Sequence, residues 1–466
     1  MSEIQQVVPM ARSAGRGFQA YSAKHLDMLA ARAGLTPAER LATRAVAAVL
    51  PFRTNAYVVE NLIDWDAAPD DPIYRLVFPQ PDMLPPRDVA RLGELIEAQA
   101  DKEVKLLAHE IRMRLNPHPA GQLLLNAPSL GDRPLPGLQH KYPETVLFFP
   151  RQGQTCHAYC TYCFRWAQFV DEPGLKMATD DIGTLVEYLA LHPEVTSVLI
   201  TGGDPMIMGE PVLRRYIEPL LRDPRLEHIE SIRIGTKSLA YWPQRFVTDP
   251  DADDTLALFE EVQNAGKTLA LMAHFSHPRE LEPTILNTAV QRIRSTGAVI
   301  RTQAPLIRSI NDASETWRSM WRTQLRMGMI PYYMFVERDT GPQDYFAVPL
   351  ARAYEVFRDA YQGVSGLCRT VRGPSMSATP GKVVVDGITT IAGLKVFVLR
   401  MIQARDPKLV GSPFFARFDP EATWLTDLEP VFAPRFPYEA VPDELPGLWS
   451  DSADPDEPGE LIAPVG

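Results

Sequence analysis

A regular alternation of apolar β-type runs and helical patterns begins at Val146 and constrains the fold more than any other feature of the chain. Short runs rich in Val, Ile, Leu and Phe predict buried strands, and amphipathic segments between them predict helices. Six strands joined by helices imply a parallel sheet with right-handed crossovers, which for this count suits an incompletely closed barrel. The predicted strands are Val146–Phe149, Val195–Thr201, Ile229–Gly235, Thr268–Phe275, Ala298–Ala304 and Ile330–Val336. The predicted helices are Asp180–Leu191, Pro211–Leu221, Asp254–Ala265, Glu282–Ser295 and Ala313–Met327.

The fold class predicted from this pattern is α/β, with a partial (β/α)6 barrel between an N-terminal helical region and a C-terminal extension. Ligands of such folds bind at the carboxyl ends of the strands. The chain divides into four predicted regions. They are an N-terminal helical region with a connector (1–135), the partial barrel (136–345), a C-terminal extension (346–418), and an acidic, Pro-rich tail that is partly disordered (419–466).

Local signals add three further predictions outside the barrel. Thr36, Pro37 and Glu39 have the pattern of a capped helix start. The segment from Asp88 to Leu115 has charges at helical spacing and predicts one long amphipathic stretch. In the extension, Lys382–Ile391 and Lys395–Arg400, around Asp386-Gly387, are predicted to be β segments.

Composition excludes several classes of function. The net charge is −11 and no basic stretch offsets it, so we expect no nucleic-acid partner. No apolar run approaches the roughly eighteen residues that span a bilayer, so we expect no membrane association. The N-terminus has no visible secretory signal. The chain has only four cysteines and no paired framework, which favours a reducing, cytoplasmic location.

Three of the four cysteines, Cys156, Cys160 and Cys163, lie within eight residues directly after the first predicted strand. Three thiolates at this spacing can bind three irons of a cubane cluster and leave the fourth iron open for chemistry. The fourth cysteine, Cys368, lies too far along the chain to complete the motif. The alternatives are a zinc site completed by His157 or a distant histidine, or three unrelated buried cysteines.

The cysteine spacing is that of the radical S-adenosylmethionine (SAM) enzymes, and the wider chain resembles the lysine 2,3-aminomutase family of radical SAM, pyridoxal 5′-phosphate (PLP) enzymes. The similar segments run in order from about Pro136 to Lys382, and weaker similarity reaches back to about residue 50. Besides the cysteine motif they are Pro136-Gly137-Leu138, Lys141-Tyr142-Pro143, Thr201-Gly202-Gly203-Asp204-Pro205, Ile232-Arg233-Ile234-Gly235-Thr236, Pro243-Gln244-Arg245, His274-Phe275-Ser276-His277-Pro278, Ile310-Asn311-Asp312 and Pro331-Tyr332-Tyr333.

The resemblance implies a [4Fe-4S] cluster on the three cysteines and SAM bound to its open iron. Gly202 and Gly203 would let the backbone approach SAM, and Asp204 would accept from its amino group or ribose. The alternative for these three residues is an ordinary βα turn with Asp204 as a helix N-cap. Gln303 could hydrogen-bond SAM or the second cofactor, or be a polar residue at a strand end.

The resemblance also implies a PLP pocket. Lys382 falls at the position of the family's Schiff-base lysine, although the glycine run before it is reduced to Gly381. Tyr142 matches a tyrosine that packs on the cofactor ring. Lys141 and Thr145 replace two arginines that bind the cofactor phosphate, and of these only Lys141 could still supply a charge. The alternatives are a solvated lysine at a strand end for Lys382 and a core tyrosine for Tyr142.

For the substrate, the resemblance assigns Arg165 to the α-carboxylate, which a planar guanidinium fork suits. The alternative for Arg165 is a surface salt bridge. Asp312 matches one of two aspartates that hold the distal ammonium of lysine, or is only a helix N-cap. Ungapped alignment places Arg338 at the second position, and a shift of one residue would place Asp339 there. Because Arg338 would repel an ammonium group, lysine does not follow as the substrate.

The function implied is that of a radical SAM isomerase, an aminomutase that moves an amino group between the α and β carbons of an amino acid. The alternatives are a radical SAM enzyme of other chemistry without PLP, and a non-catalytic iron–sulfur or zinc protein. Expected partners are an amino-acid substrate and a low-potential electron donor such as flavodoxin or ferredoxin. A homo-oligomer is compatible with the resemblance, and the C-terminal zinc-binding cysteines of some family members are absent.

Overall fold

The computed structural model describes residues 17–172 and 174–439. The N-terminal region is helical, as predicted, and contains two short paired strands, β1 (Ala20–Ser22) and β2 (Arg53–Asn55). Its helices are α1 (Leu26–Arg32), α2 (Pro37–Val49), α3 (Ala56–Asn61), α4 (Pro72–Val77), α5 (Pro86–Glu97) and α6 (Asp101–Arg114). A two-stranded turn, β3 (Ser129–Leu130) with β4 (Arg133–Pro134), then leads into the main sheet.

The predicted capped start of α2 is confirmed, because the Thr36 side chain accepts from the Glu39 N–H while the Glu39 carboxylate accepts from the Thr36 N–H. The predicted long stretch from Asp88 to Leu115 is instead two helices, α5 and α6. The chain breaks at Gln99, which has a φ of 54°. No glycine or proline marks this break in the sequence, so the charge periodicity continues across it.

An eleven-stranded sheet forms the centre of the protein, and its strands follow one another in chain order. The seven strands β6 to β12 are parallel, and antiparallel strands flank them on both sides. The strands are β5 (Leu138–Tyr142), β6 (Thr145–Phe148), β7 (Ser197–Ile200), β8 (Ser231–Thr236), β9 (Thr268–His274), β10 (Val299–Leu306), β11 (Ile330–Val336), β12 (Arg372–Ser377), β13 (Gly381–Ile391), β14 (Leu394–Ala404) and β15 (Pro413–Arg417).

All six predicted barrel strands are present as β6 to β11, and the α/β class with an open parallel core is confirmed. The helices are α7 (Ile182–Leu191), α8 (Glu210–Arg222), α9 (Ser238–Tyr241), α10 (Ala252–Asn264), α11 (Thr284–Ser295), α12 (Ser314–Met327), α13 (Gln343–Phe346) and α14 (Leu350–Gln362). A seventh parallel strand, β12, extends the core by one β/α unit beyond the prediction. Its sequence, Arg-Gly-Pro-Ser-Met-Ser, lacks the β-branched run that identifies the other strands.

The C-terminal extension is a meander of β13, β14 and β15 that continues the sheet. The two predicted β segments, Lys382–Ile391 and Lys395–Arg400, are present as β13 and β14. The turn between them lies at Ala392-Gly393, both of which have positive φ. Asp386-Gly387 lies inside β13, where the pairing with β14 shifts register and forms a bulge.

Two hydrophobic clusters hold the chain together, one under the parallel core and N-terminal helices and one under the meander. The second cluster includes Trp424, Leu425 and Phe436, which are buried. The first part of the predicted tail, 419–439, therefore packs on the meander. The remainder of that prediction lies outside the described residues. No helix in the described part of the chain is both long and apolar enough to cross a membrane.

Candidate active site

A cavity of about 320 Å³ opens at the carboxyl ends of the parallel strands. Its lining includes the segments that follow β6, β7, β8 and β11, the ends of β9 and β10, and residues of β5, β13 and β14. This is the rim where the sequence placed its unusual residues. Of the thirteen predicted site residues, twelve line this one cavity: Lys141, Tyr142, Cys156, Cys160, Cys163, Arg165, Gly202, Gly203, Asp204, Gln303, Arg338 and Lys382.

The cysteine-bearing loop after β6 is held from outside the barrel by the N-terminal region. The Tyr159 N–H donates to the carbonyl of Arg53, and the Thr161 N–H donates to the carbonyl of Leu76. The Asn55 amide also donates to the carbonyl of His157. These contacts fix the backbone on both sides of Cys160. The N-terminal helices therefore shape the cysteine site, a role that the sequence did not reveal.

The three thiols are unbridged, and each is partly accessible where it lines the cavity. Burial raises the pKa of Cys160 to about 11 and that of Cys163 to about 12. The thiolate charges also raise one another's pKa, so the three sulfurs are close in space. Such a site favours neutral thiols unless a cation compensates the thiolates, and iron provides that charge.

The zinc alternative finds no support in the described residues. Within 17–172 and 174–439, no three His, Cys, Asp or Glu side chains are grouped so that they could hold one metal ion. In a cubane, each thiolate binds a different iron, so the sulfurs need not converge on a single point. The Nε2 of His157 lies 2.9 Å from Asp204 Oδ2, so this nitrogen is engaged within the protein, while Nδ1 is buried without a partner. The donor set therefore fits a cluster better than a zinc ion.

Gly202 and Gly203 lie against the cysteine loop. A Cβ on Gly203 would be 2.3 Å from the carbonyl oxygen of Thr155, and a Cβ on Gly202 would be 2.0 Å from the Gln154 side chain. Gly202 also has a φ of +138°, which a larger residue rarely adopts. The Asp204 N–H donates to the Thr155 carbonyl. The glycines thus allow close packing of the two loops, in addition to lining the cavity.

The Asp204 carboxylate is hydrogen-bonded to groups of the protein itself. Its carboxylate accepts from His157 Nε2, from Thr236 Oγ1 and from the N–H groups of Met206 and Lys237. Burial alone would raise its pKa, yet these hydrogen bonds hold the pKa below the usual value. The N-cap alternative describes its local role, because the Met206 N–H begins a short helical turn. Asp204 joins three loops at the rim, and its hydrogen-bonding capacity toward SAM is largely used.

Arg165 is 7% exposed and lines the cavity, with its Nη1 buried and unpartnered. Its guanidinium carbon lies 4.5 Å from the centre of the Phe149 ring and 4.8 Å from that of Phe164. Burial lowers the pKa of Arg165 to about 9. An unpaired guanidinium in this position is suited to an anionic ligand group such as a carboxylate.

Lys382 begins β13, and its ammonium is surrounded by aromatic rings. The Nζ lies 4.6 Å from the ring centre of Tyr333 and 5.6 Å from that of Tyr142, and it donates to Gln403 Oε1 at 2.8 Å. Burial and then the charge of Arg233 lower the pKa of Lys382 to about 7. A solvated strand-end lysine would not show this shift, so the amine has the character that imine chemistry requires.

Two basic side chains near Lys382, Lys141 and Arg233, also line the cavity. Lys141 is 9% exposed and donates to the carbonyl of Ala378. Arg233 donates to Thr145 Oγ1 at 3.3 Å, and its Nε is buried without a partner. Arg233 thus brings a guanidinium beside Thr145, which had been the weak point of the predicted phosphate site. The aromatic rings, the lysine and these cations together fit PLP.

The remaining predicted residues separate into two groups. Gln303 lines the cavity and its Nε2 lies 2.8 Å from Nε2 of His274. Arg338 also lines it, whereas Asp339 does not. Asp312 is apart from the cavity lining, and its carboxylate accepts from the Ser309 N–H at 3.1 Å. Its local role is to close a turn before α12, and Ala313 rather than Asp312 is the helix N-cap.

Sequence reasoning assigned no role to a buried network behind Cys160. Lys237 forms an ion pair with Glu280 at 2.9 Å, and Ser276 accepts from Lys237 and contacts the Tyr162 hydroxyl at 2.8 Å. It also gave no role to Glu337, a cavity-lining carboxyl group directly after β11. Lys237 and Glu337 could have been found from the sequence, because both closely follow a predicted strand and therefore lie at the rim where ligands bind.

Comparison with known proteins agrees with this geometry. The chain is 32% identical over 396 residues to a protein of Aquifex aeolicus that is provisionally named L-lysine 2,3-aminomutase, and the match covers 85% of this chain and 92% of that protein. The chain belongs to the lysine 2,3-aminomutase family. Membership makes it an enzyme of the radical SAM isomerase type, and it implies SAM and a [4Fe-4S] cluster.

More distant relatives match over a shorter region. L-lysine 2,3-aminomutase of Fusobacterium nucleatum is 29% identical over 50% of this chain and 52% of its own length. The Escherichia coli enzyme of that name is 27% identical over 54% of this chain and 69% of its own length. The chain thus spans only about half the length of the Fusobacterium enzyme. No family model matches the sequence.

Among solved structures, a radical SAM methyltransferase from Sphaerobacter thermophilus matches 52% of this chain and 68% of its own at 14% identity, with a TM-score of 0.34. That similarity is too low to support an inference.

Proposed function

We propose that this enzyme is a PLP-dependent radical SAM aminomutase, which moves an amino group between the α and β carbons of an amino acid. The observation that carries the proposal is the position of Lys382 on the same cavity as the three cysteines, with its pKa lowered to about 7. When bound, the cluster and SAM supply a hydrogen-abstracting radical, and PLP supplies a conjugated ring through which an amino group can migrate.

The protein's own residues would hold and orient the reactants. Cys156, Cys160 and Cys163 would bind three irons. Lys382 would hold PLP, Tyr142 and Tyr333 would pack on it, and Lys141 and Arg233 would supply charge for its phosphate. Arg165 would bind the α-carboxylate of the substrate and so fix the Cβ hydrogen relative to the cluster. The cavity walls would keep water from the radical.

The electron for the cluster comes from outside the chain in this proposal. A low-potential protein such as flavodoxin or ferredoxin is the expected donor, and a cytoplasmic location and homo-oligomer formation belong to the same hypothesis. The competing function is radical SAM chemistry without PLP. The reduced glycine run before Lys382 and Thr145 at a phosphate position favour it.

The test separates the two cofactors by mutation. Anaerobically reconstituted protein should contain about four irons per chain, show a pyridoxal absorbance band and cleave SAM on reduction. Cys160→Ala should lose iron and SAM cleavage but keep the pyridoxal band, while Lys382→Ala should lose the band but keep iron. Cys368→Ala is the matched control, because this buried thiol lies outside the cavity and contacts the carbonyl of Trp321.

Each contrary result has a definite meaning. SAM cleavage by native protein that takes up no PLP would favour the PLP-free alternative. Retention of the full iron content by Cys160→Ala would show that the cluster is elsewhere.

A further inference from the structure

Two guanidinium groups share one aromatic ring in the cavity. The guanidinium carbons of Arg165 and Arg338 lie 4.8 Å and 4.7 Å from the centre of the Phe164 ring, so they are at most 9.5 Å apart. Burial is the main cause that lowers the pKa of both arginines, and the charge of Arg338 also lowers the pKa of Arg165. Arg338 Nη2 donates only a long hydrogen bond, 3.4 Å, to the carbonyl of Pro119, and its Nε is buried without a partner.

No carboxylate forms an ion pair with either guanidinium in the described part of the chain. Among residues 17–172 and 174–439, no carboxylate oxygen lies within 4.0 Å of Arg165 or Arg338. The charge of Asp339 raises the pKa of Arg338, but Asp339 does not line the cavity. Two unpaired like charges in a partly buried site are unfavourable without anions to bind. The cavity therefore has the charge of a site for two anionic groups at this wall.

The proposed function accounts for only one of these anions. In it, the α-carboxylate of the substrate occupies Arg165, and the cofactor phosphate lies near Lys141 and Arg233. Arg338 is then left facing the rest of the substrate. A side chain that ends in an ammonium group would add a third positive charge at this wall, whereas one that ends in a carboxylate would neutralise Arg338.

We propose that the substrate is an acidic α-amino acid, glutamate, with its α-carboxylate on Arg165 and its side-chain carboxylate on Arg338; this rests on the proposed function. The carboxyl carbons of glutamate are separated by four C–C bonds, a span of about 5 Å. A hydrogen-bonded carboxylate and guanidinium add roughly 4 Å between carbons at each end. A bent glutamate therefore bridges two guanidinium carbons that are no more than 9.5 Å apart.

Glu337 also lines the cavity, and an ionised carboxylate there would oppose the binding of a second one. Burial raises the pKa of Glu337 to about 8. Near pH 7 the group is therefore mostly protonated, and it can donate a hydrogen bond to a carboxylate oxygen. Glu337 therefore adds little negative charge to this wall at that pH.

The reaction balances without an added oxidant or reductant. The C2–N bond of glutamate breaks and a C3–N bond forms, while one hydrogen atom leaves C3 and one is returned to C2. The product is 3-aminopentanedioate, an isomer of glutamate. In the shorter homologue, aspartate, moving the amino group from C2 to C3 gives aspartate again. Of these two acids, only glutamate is therefore converted to a different compound.

The test compares L-glutamate with L-lysine on the reconstituted enzyme, with β-amino products measured by mass spectrometry and amino-acid binding measured from the shift of the pyridoxal band. Glutamate should be converted, and Arg338→Gln should raise both its KM and its dissociation constant at least tenfold without loss of the pyridoxal band. Arg338→Lys should recover part of the affinity. Arg326→Gln, on the exposed face of α12, is the matched control and should behave as the native enzyme.

The contrary results are distinct. Conversion of lysine rather than glutamate, unaffected by Arg338→Gln, would overturn the substrate assignment and leave the aminomutase proposal intact. Loss of the pyridoxal band in Arg338→Gln would identify Arg338 as a phosphate ligand and also overturn the assignment. Native protein that binds PLP and cleaves SAM but converts neither amino acid would overturn it as well. Native protein that neither binds PLP nor cleaves SAM would instead refute the proposed function itself.

Discussion

Gly203→Ala should damage the iron–sulfur site through the protein backbone. The added methyl carbon would lie 2.3 Å from the carbonyl oxygen of Thr155, and 2.5 Å and 2.6 Å from its carbonyl carbon and its nitrogen. Non-bonded atoms are comfortable at about 3.5 Å, so one loop must move by roughly 1 Å. Because the obstructing atoms are backbone, no side-chain rotation relieves the clash. Overpacking of this kind costs about 1–3 kcal/mol of stability.

The displaced segment leads directly into Cys156, so the Cys156 sulfur should move with it. We expect Gly203→Ala to fold, as judged by circular dichroism, but to bind clearly fewer than the roughly four irons of the native chain after reconstitution. SAM cleavage should fall in proportion to iron. The matched control is Gly209→Ala in the loop before α8, where the new carbon would meet nothing closer than 3.6 Å and the φ of −65° suits alanine.

The assay also distinguishes two roles for the glycine. If Gly203 serves only the approach of SAM, the variant should hold its full cluster and bind SAM weakly. If it serves the packing of the cysteine loop, the cluster itself should be deficient before SAM is added. A Gly203→Ala protein with native iron content would refute the packing argument.

Two further predictions concern single residues. The rate at which apo-enzyme takes up PLP should rise about tenfold per pH unit below pH 7 and level off above it, because the reactive neutral form of Lys382 is depleted below its pKa of about 7. Stopped-flow absorbance measures this rate. A rate that continues to rise up to pH 10 would mean that Lys382 has the pKa of an ordinary lysine. Asp312→Asn should change the KM for the substrate less than twofold, since Asp312 contacts the Ser309 backbone rather than the cavity; a tenfold rise in KM in steady-state assays would restore it to the substrate site.

Much of the fold was predictable because burial imposes a regular apolar pattern on the strands of the parallel core. β6 to β11 each carry a run of apolar residues, and the rim follows from the topological rule for parallel strands. The cysteine motif was predictable because its spacing is local. Where the signal was not local, the prediction was incomplete. The seventh strand β12 lacks an apolar run, and the break at Gln99 has no glycine or proline to mark it.

The site residues divide in the same way. Arg165 and Lys382 were assigned by resemblance, and their unusual character comes from what surrounds them: Phe149 and Phe164 for the arginine, Tyr333 and Gln403 for the lysine. Those neighbours come from several separate strands and loops, so no spacing along the chain identifies the set. A motif can name the reactive group, but its pKa depends on packing that the one-dimensional pattern does not contain.

The N-terminal region is the clearest example of a structural role that the sequence pattern did not indicate. It looked like an appendage to the barrel, yet the carbonyls of Arg53 and Leu76 accept hydrogen bonds from the backbone on both sides of Cys160. A backbone carbonyl is present at every residue, so such a contact leaves no trace in residue type. The cysteine loop has little regular structure of its own and must find partners for its N–H groups elsewhere. The cluster site is therefore built by two regions that are distant in sequence, and a barrel excised at residue 136 would lack half of its support.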